Sequence, residues 1–233
     1  MGQKKLIRFA AIREMENVFE YPENMKGKWN DHFCNSNPIV LELACGRGEY
    51  TVGLSELYPN NNYIGVDVKG NRMYIGAKKC LEENRKNAAF LRTQIEMIDT
   101  YFAPGEVSEI WLTFPDPQLR LSRAEKRLTH PRFLRLYQRF IKSGGDIHLK
   151  TDSPILYNFT KKVIELYSLT LVEDCNNVYK EIDRPELKIK THYEGLDIAQ
   201  SNTIFYLHFQ LGNTIPDLDE KLKKAINLME KND

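Results

Sequence analysis

Short apolar runs alternate with stretches of helical spacing along most of the chain. Ile39-Val40-Leu41-Glu42-Leu43 is the pattern of a strand buried on both faces. Residues 62–67, 88–93 and 107–114 predict three further strands, 147–152 a fifth and 169–173 a sixth, and 203–210 alternates apolar with polar like a half-buried last strand. Helices are predicted at 49–57, at 70–86 (Met73, Ala77, Cys80 and Leu81 on one side), at 95–102, at 132–142, at 154–167 and at 218–229. In the 132–142 segment Phe133, Leu134, Tyr137, Phe140 and Ile141 share one face and Arg132, Arg135, Arg139 and Lys142 the other, with Gly144-Gly145 as the stop. Residues 115–129 read as a polar loop, and 176–197 as a long one of functional length. Strands alternating with helices predict an α/β, doubly wound sheet of seven mostly parallel strands. Residues 1–36 form a basic N-terminal extension, 37–212 a single domain and 213–233 a short helical tail.

Composition narrows the setting. The 233 residues suffice for one sizeable α/β core with appendages. No apolar run approaches the roughly 18 residues that span a bilayer, and no signal-peptide pattern opens the chain. Cys34, Cys45, Cys80 and Cys175 lie far apart without zinc spacing, so they read as reduced thiols; the expectation is a cytoplasmic protein, monomer or homodimer, with no structural metal. A formal net charge of +1 hides a basic sector: from Arg120 to Lys142 there are eight Lys/Arg and one acid, Glu125. That asymmetry fits a polyanion held against one face.

Two turns carry the candidate chemistry. Phe114-Pro115-Asp116-Pro117 ends the fourth strand and opens onto Arg120, Arg123, Lys126 and Arg127. Ligands of open α/β sheets bind at that edge of the strands, and the two prolines keep the turn out of helix. A carboxylate fixed beside cations suits a site that joins an organic cation to a polyanion, which points to methyl transfer from a sulfonium onto nucleic acid. The second turn, Glu42-x-x-x-Gly46-x-Gly48, joins the first strand to a helix, and Asp67 ends the next strand at the distance where a carboxylate meets ribose hydroxyls. A dinucleotide fingerprint wants a third glycine near position 51, where Thr51 stands. S-adenosylmethionine carries a ribose and adenine without phosphate, so the reduced glycine pattern suits it better, with Glu42 as a partner for its ammonium.

Read together, LELACGRGEY, YIGVDVK, LTFPDPQLRLSRAEKRLTHPRF, GGDIHLKTD and THYEG occur in the order found in one family. From about residue 38 to 211 the chain resembles the bacterial tRNA (guanine-N7-)-methyltransferases, S-adenosylmethionine-dependent enzymes with a Rossmann-like methyltransferase sheet. The resemblance implies tRNA as partner and N7 of a variable-loop guanine as acceptor. It implies Glu42, Gly46, Gly48, Asp67, Gln94 and Asp116 at the cofactor, with Asp116 catalytic. It further implies Arg120, Asp152, Thr191, His192, Tyr193 and Glu194 on the substrate side, and Ser122, Arg123, Ala124, Glu125, Lys126 and Arg127 as the RNA-contact segment. Gln94 stands where the family usually has aspartate, and Gln118 where tryptophan usually follows Asp-Pro.

Guanine N7 has an in-plane lone pair and no proton, so its methylation needs positioning rather than a general base. Asp116 would stabilise positive charge arriving on the ring. Asp152 and Glu194 would accept from N1–H and the amino group of guanine, and Tyr193 is placed to stack on a base. Two rivals stay open. Tyr157-x-x-x-Lys161 mimics the catalytic pair of short-chain dehydrogenases, and a non-catalytic RNA-binding subunit could keep the same fold.

Overall fold

The computed structural model describes residues 2–196, 203–212 and 214–229. In chain order its regular elements begin with α1 (Gly2–Ile12), β1 (Val18–Glu20), α2 (Trp29–Phe33), β2 (Ile39–Leu43), α3 (Glu49–Leu57) and β3 (Asn62–Asp67). They continue with α4 (Gly70–Glu82), β4 (Ala88–Arg92), β5 (Val107–Thr113), α5 (Pro131–Tyr137), β6 (Ile141–Thr151) and α6 (Pro154–Leu166). The last are β7 (Thr170–Cys175), α7 (Val178–Glu181), α8 (Pro185–Lys188), β8 (Phe205–Leu211) and α9 (Asp219–Met229), with short 3₁₀ turns at Ile95–Thr100, Leu121–Lys126 and Glu194–Leu196.

One eight-stranded sheet runs β1-β4-β3-β2-β5-β6-β8-β7. Every pairing is parallel except those of β8 with β6 and β7. The chain winds from β2 outward to β4, then returns to lay β5 on the other side of β2. That reversal puts a crevice at the carboxyl ends of β2, β3 and β5. All of β2 and β3 is buried, as parallel strands covered on both faces must be. Gly48 opens α3 at φ 75°, and a Cβ there would collide with the Phe90 ring of β4. The second glycine of the turn therefore serves helix–sheet packing.

Three expectations change. Seven strands become eight because Val18–Glu20 pairs with β4. A three-residue strand leaves no periodicity to read. The basic extension is accordingly part of the core: Trp29 is fully buried, its indole donates to the Tyr101 carbonyl at 2.9 Å, and it stacks on Phe102. Secondly, the helix expected over 132–142 stops at Tyr137, and β6 starts at Ile141 and passes through the glycine pair. Val107 pairs with Ile141, so sheet pairing captures residues whose spacing alone suits a helix. The arginine face of α5 and its end is engaged within the chain: Arg135 holds Asp219 through two bonds, Arg139 meets Asp99 and Arg132 meets Glu96. It is a tertiary clasp on α9 and the 95–100 turn rather than an open cationic strip. Thirdly, the long polar 176–197 loop is ordered through Leu196 by α7, α8 and a 3₁₀ turn.

Among the described residues no helix is long and apolar enough to cross a membrane, and no cluster of His, Cys, Asp and Glu could hold a metal ion.

Candidate active site

A cavity of about 910 Å³ opens at the carboxyl ends of β2, β3, β5 and β6. Pockets of this order hold a cofactor with part of a substrate. Of the residues expected to act, Gly46, Asp67, Gln94, Asp116, Lys126, Asp152 and Tyr193 line it. The ends of five strands, β2 to β6, and the segment after α8 bring them together.

The donor end is built first. Gly46 adopts φ 57°, and its N–H donates to Asp67 Oδ2 at 2.9 Å, while Lys69 N–H donates to Oδ1 at 2.8 Å. Asp67 is thus held by backbone donors at the wall of the cavity it lines. Gln94 opens the 95–100 turn and is exposed beside it. Glu49 occupies the first turn of α3 and accepts from the His192 N–H at 3.2 Å. An acid at a helix N-terminus disfavours a phosphate there, where a dinucleotide would place its pyrophosphate.

Glu42, expected as a partner for the ammonium of a donor, lies behind the residues that line the cavity. It is buried; one carboxyl oxygen accepts from Thr51 N–H (2.7 Å) and Thr51 Oγ1–H (2.6 Å), the other from Thr113 Oγ1–H (3.0 Å). Burial pushes its carboxyl up to about 7 against the pull of those hydrogen bonds. Glu42 ties β2 to α3 and β5 and so fixes the glycine turn. Gly48, likewise, packs on Phe90 rather than facing the cavity.

At β5, Phe114 takes φ 48° and donates its N–H to the Lys150 carbonyl at 2.8 Å. This twist carries the chain into the Pro115-Asp116-Pro117 turn, where Pro115 is buried and Asp116 exposed. Asp116 lines the cavity, and its Oδ1 accepts from Gln118 N–H at 3.0 Å. Arg120, Ser122, Arg123, Glu125 and Lys126 are exposed on the 3₁₀ turn that follows. Two members of the expected RNA-contact segment are not at the surface. Ala124 is 8% exposed and packs on the core, and Arg127 is 1% exposed beneath the turn. An alternating basic sequence does not reveal which of its cations point inward.

The THYEG stretch divides as well. Tyr193 lines the cavity, with the Arg72 guanidinium 5.3 Å from its ring and one ring edge against Gly46. His192 is exposed, and Thr191 is buried with its Oγ1 accepting from Glu194 N–H. Glu194, expected at the guanine amino group, turns away from the cavity. It pairs with Lys150 at 3.1 Å and accepts from the Tyr179 hydroxyl. Lys150 is fully buried and also donates to the carbonyls of Leu187 (2.9 Å) and Ile189 (3.0 Å). Burial draws its ammonium below the usual lysine range, and Glu194 opposes that shift.

Lys69 and Arg72 line the cavity without having been anticipated. The signal lay in YIGVDVKGNR, where cations follow Asp67 directly into the first turn of α4. Tyr157 and Lys161, by contrast, both bind Asp174 on β7 and are absent from the cavity wall. That pairing removes the structural basis for a dehydrogenase.

A doubly wound sheet with a two-glycine turn after β2, a carboxylate at the end of β3 and another after β5 defines a Rossmann-like methyltransferase domain. Solved structures agree in fold: the 16S rRNA methyltransferase KamB superposes with a TM-score of 0.63 at 14% identity, over 82% of this chain and 96% of that one. The 30S ribosomal A1408 methyltransferase from an uncultured bacterium gives 0.57 at 16%, over 81% and 94%. Residues 36–207 match the family model described as "Putative methyltransferase". The tRNA (guanine-N(7)-)-methyltransferase of Porphyromonas gingivalis is 48% identical over 91% of this chain and 84% of its own length. That of Bacteroides thetaiotaomicron is 47% identical over 91% and 87%. The chain belongs to the tRNA (guanine-N(7)-)-methyltransferase family.

Proposed function

We propose that the protein transfers the methyl group of S-adenosylmethionine to N7 of a guanine in tRNA. The observation that carries this reading is one cavity whose wall includes Gly46 and Asp67 together with Asp116, Lys126 and Asp152. The residues fit the cofactor: Asp67 would accept from the ribose hydroxyls, Gln94 would meet the adenine edge, and the acidic first turn of α3 suits a ligand without phosphate. When bound, S-adenosylmethionine supplies an electrophilic methyl group on a sulfonium.

The chain's own residues do the rest. Asp116 orients the purine and stabilises the positive charge that the ring acquires on alkylation, an electrostatic effect strengthened where water is excluded. Asp152 accepts from the Watson–Crick edge of guanine, which adenine cannot match with N1–H and an exocyclic donor together. Tyr193, braced by Arg72, offers a face for stacking. Because N7 carries no proton, no side chain has to remove one, and the site's task is alignment. The exposed cations Arg120, Arg123 and Lys126 meet tRNA phosphates and offset the unstacking of the base, roughly a few kcal/mol.

The test is mass spectrometry of nucleosides from unmodified tRNA incubated with the protein and S-adenosylmethionine. 7-Methylguanosine is expected. Release of no methylated nucleoside would favour a non-catalytic RNA-binding subunit, and a different methylated base would overturn the acceptor assignment.

A further inference from the structure

We infer that Arg127 is a positioning residue that clamps the Asp116 turn from beneath, and that it makes no contact with RNA. Arg127 ends a basic stretch whose other cations, Arg120, Arg123 and Lys126, are exposed. It is itself 1% exposed, beyond the reach of a polyanion at the surface. Its guanidinium forks onto two successive carbonyls, with Nε donating to Pro117 O and Nη2 to Gln118 O, both at 3.1 Å. The guanidinium carbon lies 4.6 Å from the centre of the Phe159 ring on α6, which seats the fork from the other side.

The backbone that carries Arg127 is anchored too. Arg127 N–H donates to Ala124 O, Tyr137 OH donates to Leu128 O, and Thr129 Oγ1 bonds Thr160 Oγ1 at 2.7 Å. The clamp therefore stands on α5 and α6, and what it holds is the conformation of Gln118. That residue sits at φ 47°, which a non-glycine residue keeps only when its neighbours impose it. Its carbonyl is fixed by Arg127 and its N–H by Asp116 Oδ1. The same hydrogen bond that defines Gln118 thus orients the Asp116 carboxylate, so the angle of the catalytic acid is set through the buried arginine.

The inference rests on the proposed activity, and the experiment separates the two. Wild type, Arg127→Lys, Arg127→Met and Arg123→Ala are compared for kcat at saturating tRNA and cofactor, for tRNA Kd, and for the slope of log Kd against log salt. A lysine cannot reproduce the planar two-point fork, and misplacing a reacting group by an ångström costs about 10²-fold. The expected result is kcat lowered about tenfold in Arg127→Lys and about 10²-fold in Arg127→Met, with tRNA Kd and salt slope unchanged. Arg123→Ala should instead weaken tRNA binding and lower the slope by about 1. Phe159→Leu, which removes the seat of the fork, should follow Arg127→Lys. Arg127→Lys at full kcat with a shallower salt slope would overturn the clamp and restore an RNA contact. Failure of both Arg127 variants to fold would overturn it in favour of a purely architectural arginine. A wild type without methyl transfer to tRNA would refute the proposed function instead.

Discussion

Replacing Glu194 by glutamine should loosen one loop and leave the sheet intact. The substitution keeps the size of the side chain and an acceptor oxygen, but removes the negative charge 3.1 Å from a fully buried ammonium. At that separation two unit charges attract by about 5 kcal/mol in a medium of effective dielectric constant near 20. Removing one partner of a buried pair costs about 3–5 kcal/mol, because the other charge stays behind. The hydrogen-bond acceptors left to Lys150, the Leu187 and Ile189 carbonyls and the Tyr179 hydroxyl, lie in the same loop. Local release of residues 178–196 therefore relieves the stranded charge without unfolding the domain. Hydrogen–deuterium exchange read by mass spectrometry should show opening of 178–196 increased about 10²-fold at pH 7, with β2, β5 and β6 protected as in wild type. Burial already depresses the Lys150 amine and Glu194 opposes that shift, so the variant's amine deprotonates more readily. A lysine depressed by folding regains stability as pH rises toward its ordinary value of 10.5. Once intrinsic exchange rates are corrected for, the loosening should shrink at pH 9. Wild-type exchange in the loop at pH 7, or a loosening that ignores pH, would refute the pair as the loop's anchor.

Glu42, whose carboxyl is raised from 4.5 to about 7 by burial, contributes stability that is present below pH 4.5 and lost as pH rises through 7. That amounts to about 3 kcal/mol; urea midpoints at pH 5 and pH 8 should differ more in wild type than in Glu42→Gln, and equal differences would remove the effect. Asp116→Asn should lower kcat about 10²-fold with cofactor affinity nearly unchanged. Near-normal single-turnover rates in that variant would dismiss Asp116 as the catalytic acid. Trp29→Ala should cost about 3–5 kcal/mol in chemical denaturation, since the indole is buried and hydrogen-bonded at 2.9 Å; a loss below about 1 kcal/mol would return residues 1–36 to the status of an appendage.

The central strands were legible because parallel strands covered on both faces become continuous apolar runs, as in Ile39–Leu43 and Asn62–Asp67. The spacing of Gly46 and Asp67 was legible for the same reason that it works: a hydrogen bond of 2.9 Å joins them across the first two strand ends. The end of α5 was not. Phe140 and Ile141 suit the apolar face of a helix and the start of a strand equally, and only the pairing of Ile141 with Val107 decides. β1 was hidden by its length, and its place beside β4 is a tertiary fact. Charges were the hardest to read. Arg123 and Arg127 are four residues apart in one basic stretch, yet one is exposed and the other buried. The side on which each emerges follows from packing against α6, which local sequence does not encode.

Glu42, Arg127 and Lys150 share a property that bears on how the site works. Each is 3% exposed or less, and the sequence places Glu42 at a ligand and Arg127 at a nucleic acid. Each instead makes its hydrogen bonds within the fold beside the cavity: Glu42 with Thr51 of α3 and Thr113 of β5, Arg127 with the Asp116 turn, Lys150 with the loop that contains Tyr193 and Glu194. Burying a charge is weak ground for stability, since an apolar replacement of similar volume is often as good. An apolar side chain, however, cannot hold Gln118 at φ 47° or gather the Leu187 and Ile189 carbonyls onto one nitrogen. In a reaction that requires alignment rather than proton removal, fixed loop geometry is the quantity that limits the rate. On the proposed activity, substitutions of the three buried groups are expected to lower kcat and substitutions of the exposed cations around Lys126 to raise KM for tRNA.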